Sequence, residues 1–199
     1  MSNPNPILSF FRQSWLVLAL ASGLSAGLAG VDVTLRERIA GHTRQRLEQA
    51  VLEVVPGGVT SAPVTIAGVA MYRVTDNSGA LCGWATPAEG RGFQDRIRLM
   101  VGLSNDGGRV TGLTVLESNE TPGLGDRIQQ SQFRDQFVGQ ATEHPFVRVK
   151  SGESAPSSIH AITGATISSQ AVINSINTQL ALIRKELASN PDTTVEAHP

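Results

Sequence analysis

Late in the chain, apolar residues recur at steps of three and four. Val172, Ile173, Ile176, Leu180, Ile183 and Leu187 share one face of a helix predicted from about Ser168 to about Ala188. Upstream the period shortens to that of strands. Val64 to Val74 and Ala80 to Thr86 flank the turn-forming Asp76-Asn77-Ser78-Gly79, while Ile97 to Leu103 and Val110 to Leu116 flank Asn105-Asp106-Gly107-Gly108. Each pair predicts an antiparallel hairpin. Leu35, Ile39, Leu47, Val51 and Val54 keep a loose helical spacing that Pro56-Gly57-Gly58 ends, which predicts a stalk helix. A helix over Asp126 to Phe137 and a short strand around Phe146 to Val149 complete an α+β domain, and Pro87 to Gly92 reads as an exposed loop.

The N-terminal stretch has a different pattern. Trp15 to Val31 is uncharged and mostly apolar, with Arg12 before it and Asp32 after. At about 1.5 Å per residue it spans about 25 Å of a hydrocarbon core about 30 Å thick, so a short membrane helix that recruits flanking residues is expected. A cleaved signal peptide, with Gly27-Leu28-Ala29 as its small-residue site, is the alternative. Ala19, Gly23 and Gly27, with Ser22, Ala26 and Gly30 beside them, form a face of small residues that lets other transmembrane helices approach. Such residues are also simply common in membrane helices. Arg12 and the free amine place the N-terminus in the cytoplasm and the later chain outside. The expected organisation is a cytoplasmic N-terminus over 1–13, a transmembrane helix over 14–33, a stalk over 34–57, an extracytoplasmic domain over 58–189 and a polar tail over 190–199.

Composition narrows the chemistry. With 199 residues and a net charge of -1, the chain can bury one real core but carries no basic footprint for nucleic acid. Cys82 is the single cysteine, which excludes an intramolecular disulfide; in the apolar run Ala80 to Ala85 it reads as a small buried hydrophobe. His42, His144, His160 and His198 have no metal-ligand spacing, so no metal site is expected. There is no glycine-rich dinucleotide fingerprint after a strand and no nucleophile elbow. Asn119-Glu120-Thr121 matches a glycosylation acceptor, but Pro122 follows and the match is treated as chance.

Two short blocks carry the chemistry. Ile162-Thr163-Gly164-Ala165-Thr166-Ile167-Ser168-Ser169 is a glycine-bearing, hydroxyl-rich turn leading directly into the late helix. Thr166 therefore sits at the helix's positive end, where orphan amides and aligned peptide dipoles favour a phosphate and glycine permits close backbone approach. Taken alone, Thr163 or Thr166 reads as an ordinary N-cap. The second block, Glu120-Thr121-Pro122-Gly123-Leu124-Gly125-Asp126, is a turn in which Pro122 fixes φ while Gly123 and Gly125 are free to take positive φ.

Together, in this order, the blocks resemble the (S/T)GAT flavinylation signature and the ETPGLGD loop of the FMN-binding-domain family of membrane electron-transport complexes. Within that family the chain looks like the G subunits of Rnf complexes. The resemblance implies that Thr166 is the residue joined to FMN as a phosphoester, with Thr163, Gly164, Ala165 and Ser168 around it. It also implies that Glu120, Thr121, Gly123, Leu124 and Gly125 lie against the flavin. Two positions depart from the family pattern. His160 stands where an Asp implicated in recognition by the flavin transferase is usual, and Ser118 stands where His is expected.

The function implied is electron relay by covalent FMN in a membrane-bound, ion-translocating ferredoxin/NAD oxidoreductase of bacterial inner membranes, with other membrane subunits and a flavin transferase as partners. The chain would be a non-autonomous carrier without catalytic residues of its own. A flavin carrier like the C subunit of a sodium-pumping NADH:quinone reductase, or a non-redox anchored binding or structural module, are the alternatives.

Overall fold

The computed structural model describes residues 15, 17, 19–27, 43–66, 68–149, 157–189 and 196–197, without the side chains of 186–189 and 196–197. The chain divides into two compact units, 1–45 and 46–199. In the first unit, residues 15, 17 and 19–27 are helical and exposed. Among the described residues, no helix is long and apolar enough to cross a membrane. The expected transmembrane segment lies partly outside the described residues, and the N-terminus over 1–13, the start of the expected stalk over 34–42 and most of the tail lie outside them.

The second unit is α+β, as its hydrophobic pattern predicts. It opens with helix α1 (43–54), of which residues from 46 onward belong to this unit. Five strands follow: β1 (Thr60–Ile66), β2 (Val69–Thr75), β3 (Leu81–Arg91), β4 (Arg96–Ser104) and β5 (Val110–Ser118). They form an antiparallel sheet in which each strand pairs with its sequence neighbour. Beyond β5 come β6 (Val147–Val149), β7 (Ser158–His160), helix α3 (Thr166–Ser189) and β8 (Glu196–Ala197); the helix α2 (Ser131–Arg134) precedes them. β8 extends the sheet beside β1, whereas β6 and β7 pair in parallel as a separate ribbon.

The alternation in β4 sends its side chains to two cores. Ile97, Leu99, Val101 and Leu103 join Val172, Ile173, Ile176 and Leu180 of α3, while Met100 faces Ala50, Val51 and Val54 of α1. The stalk boundary expected at residue 57 thus falls inside a packed unit, since the end of α1 is core. The reason is visible in β4 and β5. Gly102 and Gly112 are paired across the strands. A Cβ at Gly102 would come within 1.9 Å of the Val54 carbonyl oxygen, and one at Gly112 within 2.6 Å of the Val54 Cα. Thr111 Oγ1 then donates to that carbonyl at 2.7 Å, satisfying a helix-end acceptor. Cys82 is half-buried at the edge of this core.

Three predicted elements differ in the structure. The expected single strand Val64 to Val74 is two, β1 and β2, reversing beside Gly68 at φ +83°. Of the expected loop Pro87 to Gly92, residues Pro87 to Arg91 instead form the second half of β3. Beyond Tyr72↔Ala85 this half pairs only with β4, so Pro87 can sit there with its missing N–H on the unpaired edge. The helix over Asp126 to Phe137 is broken into a 3₁₀ turn (Gly125–Gln129), α2 and a second 3₁₀ turn (Asp135–Phe137), with Gln130 extended at ψ 142° between them. Its apolar residues Ile128, Phe133 and Phe137 are nevertheless buried, and Phe137 packs edge-to-face against Phe133 at 5.7 Å and against Phe146, which precedes β6, at 5.4 Å.

Candidate functional site

The N-terminus of α3 is held by its own turn. Ala165 N donates to Ile162 O at 2.9 Å, and the Ala165 carbonyl accepts both the Ser169 amide at 2.9 Å and the Ser169 hydroxyl at 2.8 Å. Ala165 therefore occupies the cap position and Thr166 is the first helical residue. Gly164, at φ +84°, supplies the reversal before it. With alanine as the cap, no side chain closes the first turn. The amides of Thr166, Ile167 and Ser168, and the exposed Thr166 hydroxyl, have no hydrogen-bond partner among the described residues. The N-cap alternative for Thr166 is thereby set aside.

This bare turn borders a cleft of ≈ 360 Å³ lined by Phe93, Glu120, Thr121, Leu124, Gly125 and the segment Gly164 to Ser168. The two sequence blocks thus converge. They touch directly: a Cβ on Gly164 would lie 3.1 Å from Leu124 Cδ2. The walls are apolar and bare to solvent, with Phe93 65%, Ile167 56% and Leu124 48% exposed. Large apolar side chains clustered around a helix N-terminus suit a ligand with a flat apolar body and an anionic end.

Glu120 forms the floor. It is only 6% exposed, its Oε1 accepts the Gln94 amide at 3.1 Å, and its Oε2 accepts the Ser168 hydroxyl. Gly123 takes φ +77° as a turn glycine. Gly125 does not share that conformation; it is required for space, because a Cβ there would lie 2.7 Å from Glu120 Oε2. Beside the cleft, Asp95 accepts hydrogen bonds from the Asn119 carboxamide at 2.9 Å and the Arg96 amide at 2.7 Å. The Asn119 bond, more than the Arg96 amide and the nearby Arg charges, holds its carboxyl below the ordinary value of 3.8.

Most of the sequence-predicted residues meet here, with two exceptions. Thr163 faces a separate polar hollow with Arg127, Gln136 and His160, and Gly123 lies at the apex of its turn outside the cleft lining. His160 ends β7, where its amide donates to Gln136 Oε1 at 2.7 Å and its side chain is exposed. Sequence reasoning missed Phe93, Gln94 and Ile167. The first two sit at the tip of the β3–β4 hairpin, hidden because Pro87 to Gly92 has the composition of a loop. Ile167 is polar-facing by helical period, and an apolar residue off the core face was the signal available for it.

The family model for the FMN-binding domain matches residues 92–181. Over 171 residues the chain is 32% identical to the G subunit of the ion-translocating oxidoreductase complex of Methanosarcina acetivorans, covering 81% of this chain and 88% of that protein. It is 39% identical over 87 residues to the G subunit of the Na(+)-translocating ferredoxin:NAD(+) oxidoreductase complex of Acetobacterium woodii, covering 43% of this chain and 41% of that one. The crystal structure of the C subunit of Na(+)-translocating NADH-quinone reductase from Parabacteroides distasonis superposes with a TM-score of 0.52 at 22% identity, over 60% of this chain and 62% of that chain. That structure shares the fold.

Proposed function

Because the chain belongs to the FMN-binding-domain family, with the G subunits of ion-translocating oxidoreductase complexes as its relatives, we propose that it relays electrons through FMN joined covalently to Thr166. The observation that carries this reading is the free, exposed Thr166 hydroxyl on an uncapped helix turn beside an apolar cleft. FMN, when bound, supplies the capacity to accept and release electrons.

The residues present fit such a group. An ester at Thr166 Oγ1 would place the phosphate on the first turn of α3, where unpaired amides and the helix dipole favour its remaining charge. Phe93, Leu124 and Ile167 would cover the faces and edge of a flat ring, and the Thr121 to Gly125 turn would supply backbone groups to its polar rim. Covalent attachment keeps the carrier in place on the outer side of a membrane that blocks resupply.

In this reading the segment 14–33 is a single-pass anchor of the bacterial inner membrane, with its N-terminus in the cytoplasm. The domain is a non-autonomous part of an Rnf-type complex linking ferredoxin and NAD. Its partners are the other membrane subunits, met through the small-residue face of the anchor, and a flavin transferase for maturation. The test is ultraviolet fluorescence of the membrane-purified chain after denaturing electrophoresis, beside Thr166→Val. Fluorescence in the native band alone is expected. Fluorescence retained in the variant moves the ester elsewhere, and a dark native band made alongside a flavin transferase overturns the covalent reading.

A further inference from the structure

Glu120 is a buried carboxylate without a basic partner. Among the described residues it makes no ion pair; its two oxygens are met by one backbone amide, from Gln94, and one hydroxyl, from Ser168. Burying a carboxylate is costly unless hydrogen bonds replace the lost water. The donors here come from two different walls of the cleft, and Glu120 itself begins the third. Gln94 belongs to the hairpin tip that carries Phe93, Ser168 to the first turn of α3, and Glu120 to the turn that carries Thr121 and Leu124.

The surrounding backbone is shaped to admit the group. A Cβ on Gly92 would lie 2.3 Å from Glu120 Oε1, and one on Gly125 2.7 Å from Oε2 and 2.9 Å from Ser168 Oγ. The same hairpin tip is fastened a second time by the Asn119 to Asp95 bond. The Glu120 charge lies against the positive end of α3, which offsets part of the burial cost.

We infer that Glu120 is a positioning residue that locks the three cleft walls together, and that its buried negative charge lowers the reduction potential of the flavin in that cleft. The inference rests on the FMN reading above. Electrons added to a ligand beside a fixed negative charge meet repulsion that the low-dielectric interior screens weakly. Neither effect requires Glu120 to touch the ligand.

Glu120→Gln separates charge from shape. Its carboxamide oxygen can still accept the Gln94 amide, and its nitrogen can donate to Ser168 Oγ. Glu120→Ala removes both. The full chain, made with a flavin transferase in membranes, is measured by hydrogen exchange at the Gln94 amide and by spectroelectrochemical titration of the flavin. Wild-type-like protection at Gln94 and a more positive midpoint potential are expected for Glu120→Gln. For Glu120→Ala, Gln94 should exchange at least tenfold faster.

An unshifted potential in Glu120→Gln overturns the electrostatic role, and unchanged Gln94 exchange in Glu120→Ala overturns the locking role. If Glu120→Ala does not fold, Ser168→Ala takes its place: it removes one of the two ties, and protection at Gln94 equal to wild type overturns the locking role. If the wild type carries no flavin, the FMN reading fails by itself, the charge effect falls with it, and the exchange result still decides the locking role.

Discussion

The two faces of the sheet are built on opposite plans. Beneath α1, backbone meets backbone: glycines at 102 and 112 bring the helix end to within contact of the strands, and small residues such as Ala50, Val51 and Ala85 close the layer. Under α3 the layer is made mostly of side chains, with one close approach at Gly90 beneath Ser175. Ile97, Leu99 and Val101 meet Ile173 and Ile176, and Asn177 clasps the Phe146 backbone from both sides at 2.8 and 2.9 Å. This thicker layer runs out of cover at the first turn of α3, where Phe93, Leu124 and Ile167 stand exposed. A face packed through backbone leaves no room for a ligand. A face packed through side chains can be tied at its middle and left open at one end, and that open end is the cleft.

The sharpest way to break this contrast is Gly102→Val. Its side chain meets the Val54 carbonyl, so α1 must lift, losing its burial and the Thr111 hydrogen bond. A loss of about 3 kcal/mol is expected, read as a lower denaturant midpoint. A full-stability variant would show that α1 is not bound through its backbone. On the other face, Ile176→Val should cost about 0.5–1.5 kcal/mol, because side-chain packing yields by degrees. A loss as large as that of Gly102→Val would erase the distinction between the faces.

At the open end the expectation reverses. Phe93→Ser changes an exposed residue, so stability should move by no more than about 0.5 kcal/mol, while iodide should quench the bound flavin more readily than in wild type. Unchanged quenching would remove Phe93 from the cleft wall. The opposite pattern, lost stability with an unaltered flavin, would make the hairpin tip structural.

The same contrast governs what could be read in advance. The hairpin of β4 and β5 and the face of α3 were legible because long alternating or three-and-four patterns leave few other solutions. Thr166 and the Glu120 turn were singled out through the resemblance, and in the structure both line one cleft. The end of β3 was not. Pro87, Glu89 and Gly90 carry loop-like composition, yet Pro87 is tolerated on an unpaired edge and Gly90 is needed where Ser175 Oγ would lie 2.0 Å from a Cβ. β7 is three residues long and buries only Ile159, too little for any period to register. The depth of α1's seat also lay in glycines, which signal absence of bulk and not what fills the space.

The smallest expected effect concerns acid. Asp95 fastens the open tip through Asn119 and Arg96, and these contacts hold its folded-state carboxyl below 3.8. A carboxyl lowered on folding contributes stability that is present above its unfolded value and lost as pH falls through the folded one, since the unfolded chain takes up the proton first. Asp76 and Asp106 are lowered in the same direction, by hydrogen bonds led by Ser78 and Ser104 in the two hairpin turns. Denaturant midpoints at pH 7 and pH 3 should therefore converge more in Asp95→Asn than in wild type, with only a slight loss at pH 7 because the group is exposed and screened. Asp76→Asn should flatten the acid limb in the same way while leaving flavin quenching unchanged, whereas Asp95→Asn should raise quenching by loosening the tip beside Phe93. Equal quenching in the two variants would mean that the tip is held by the Glu120 carboxylate alone.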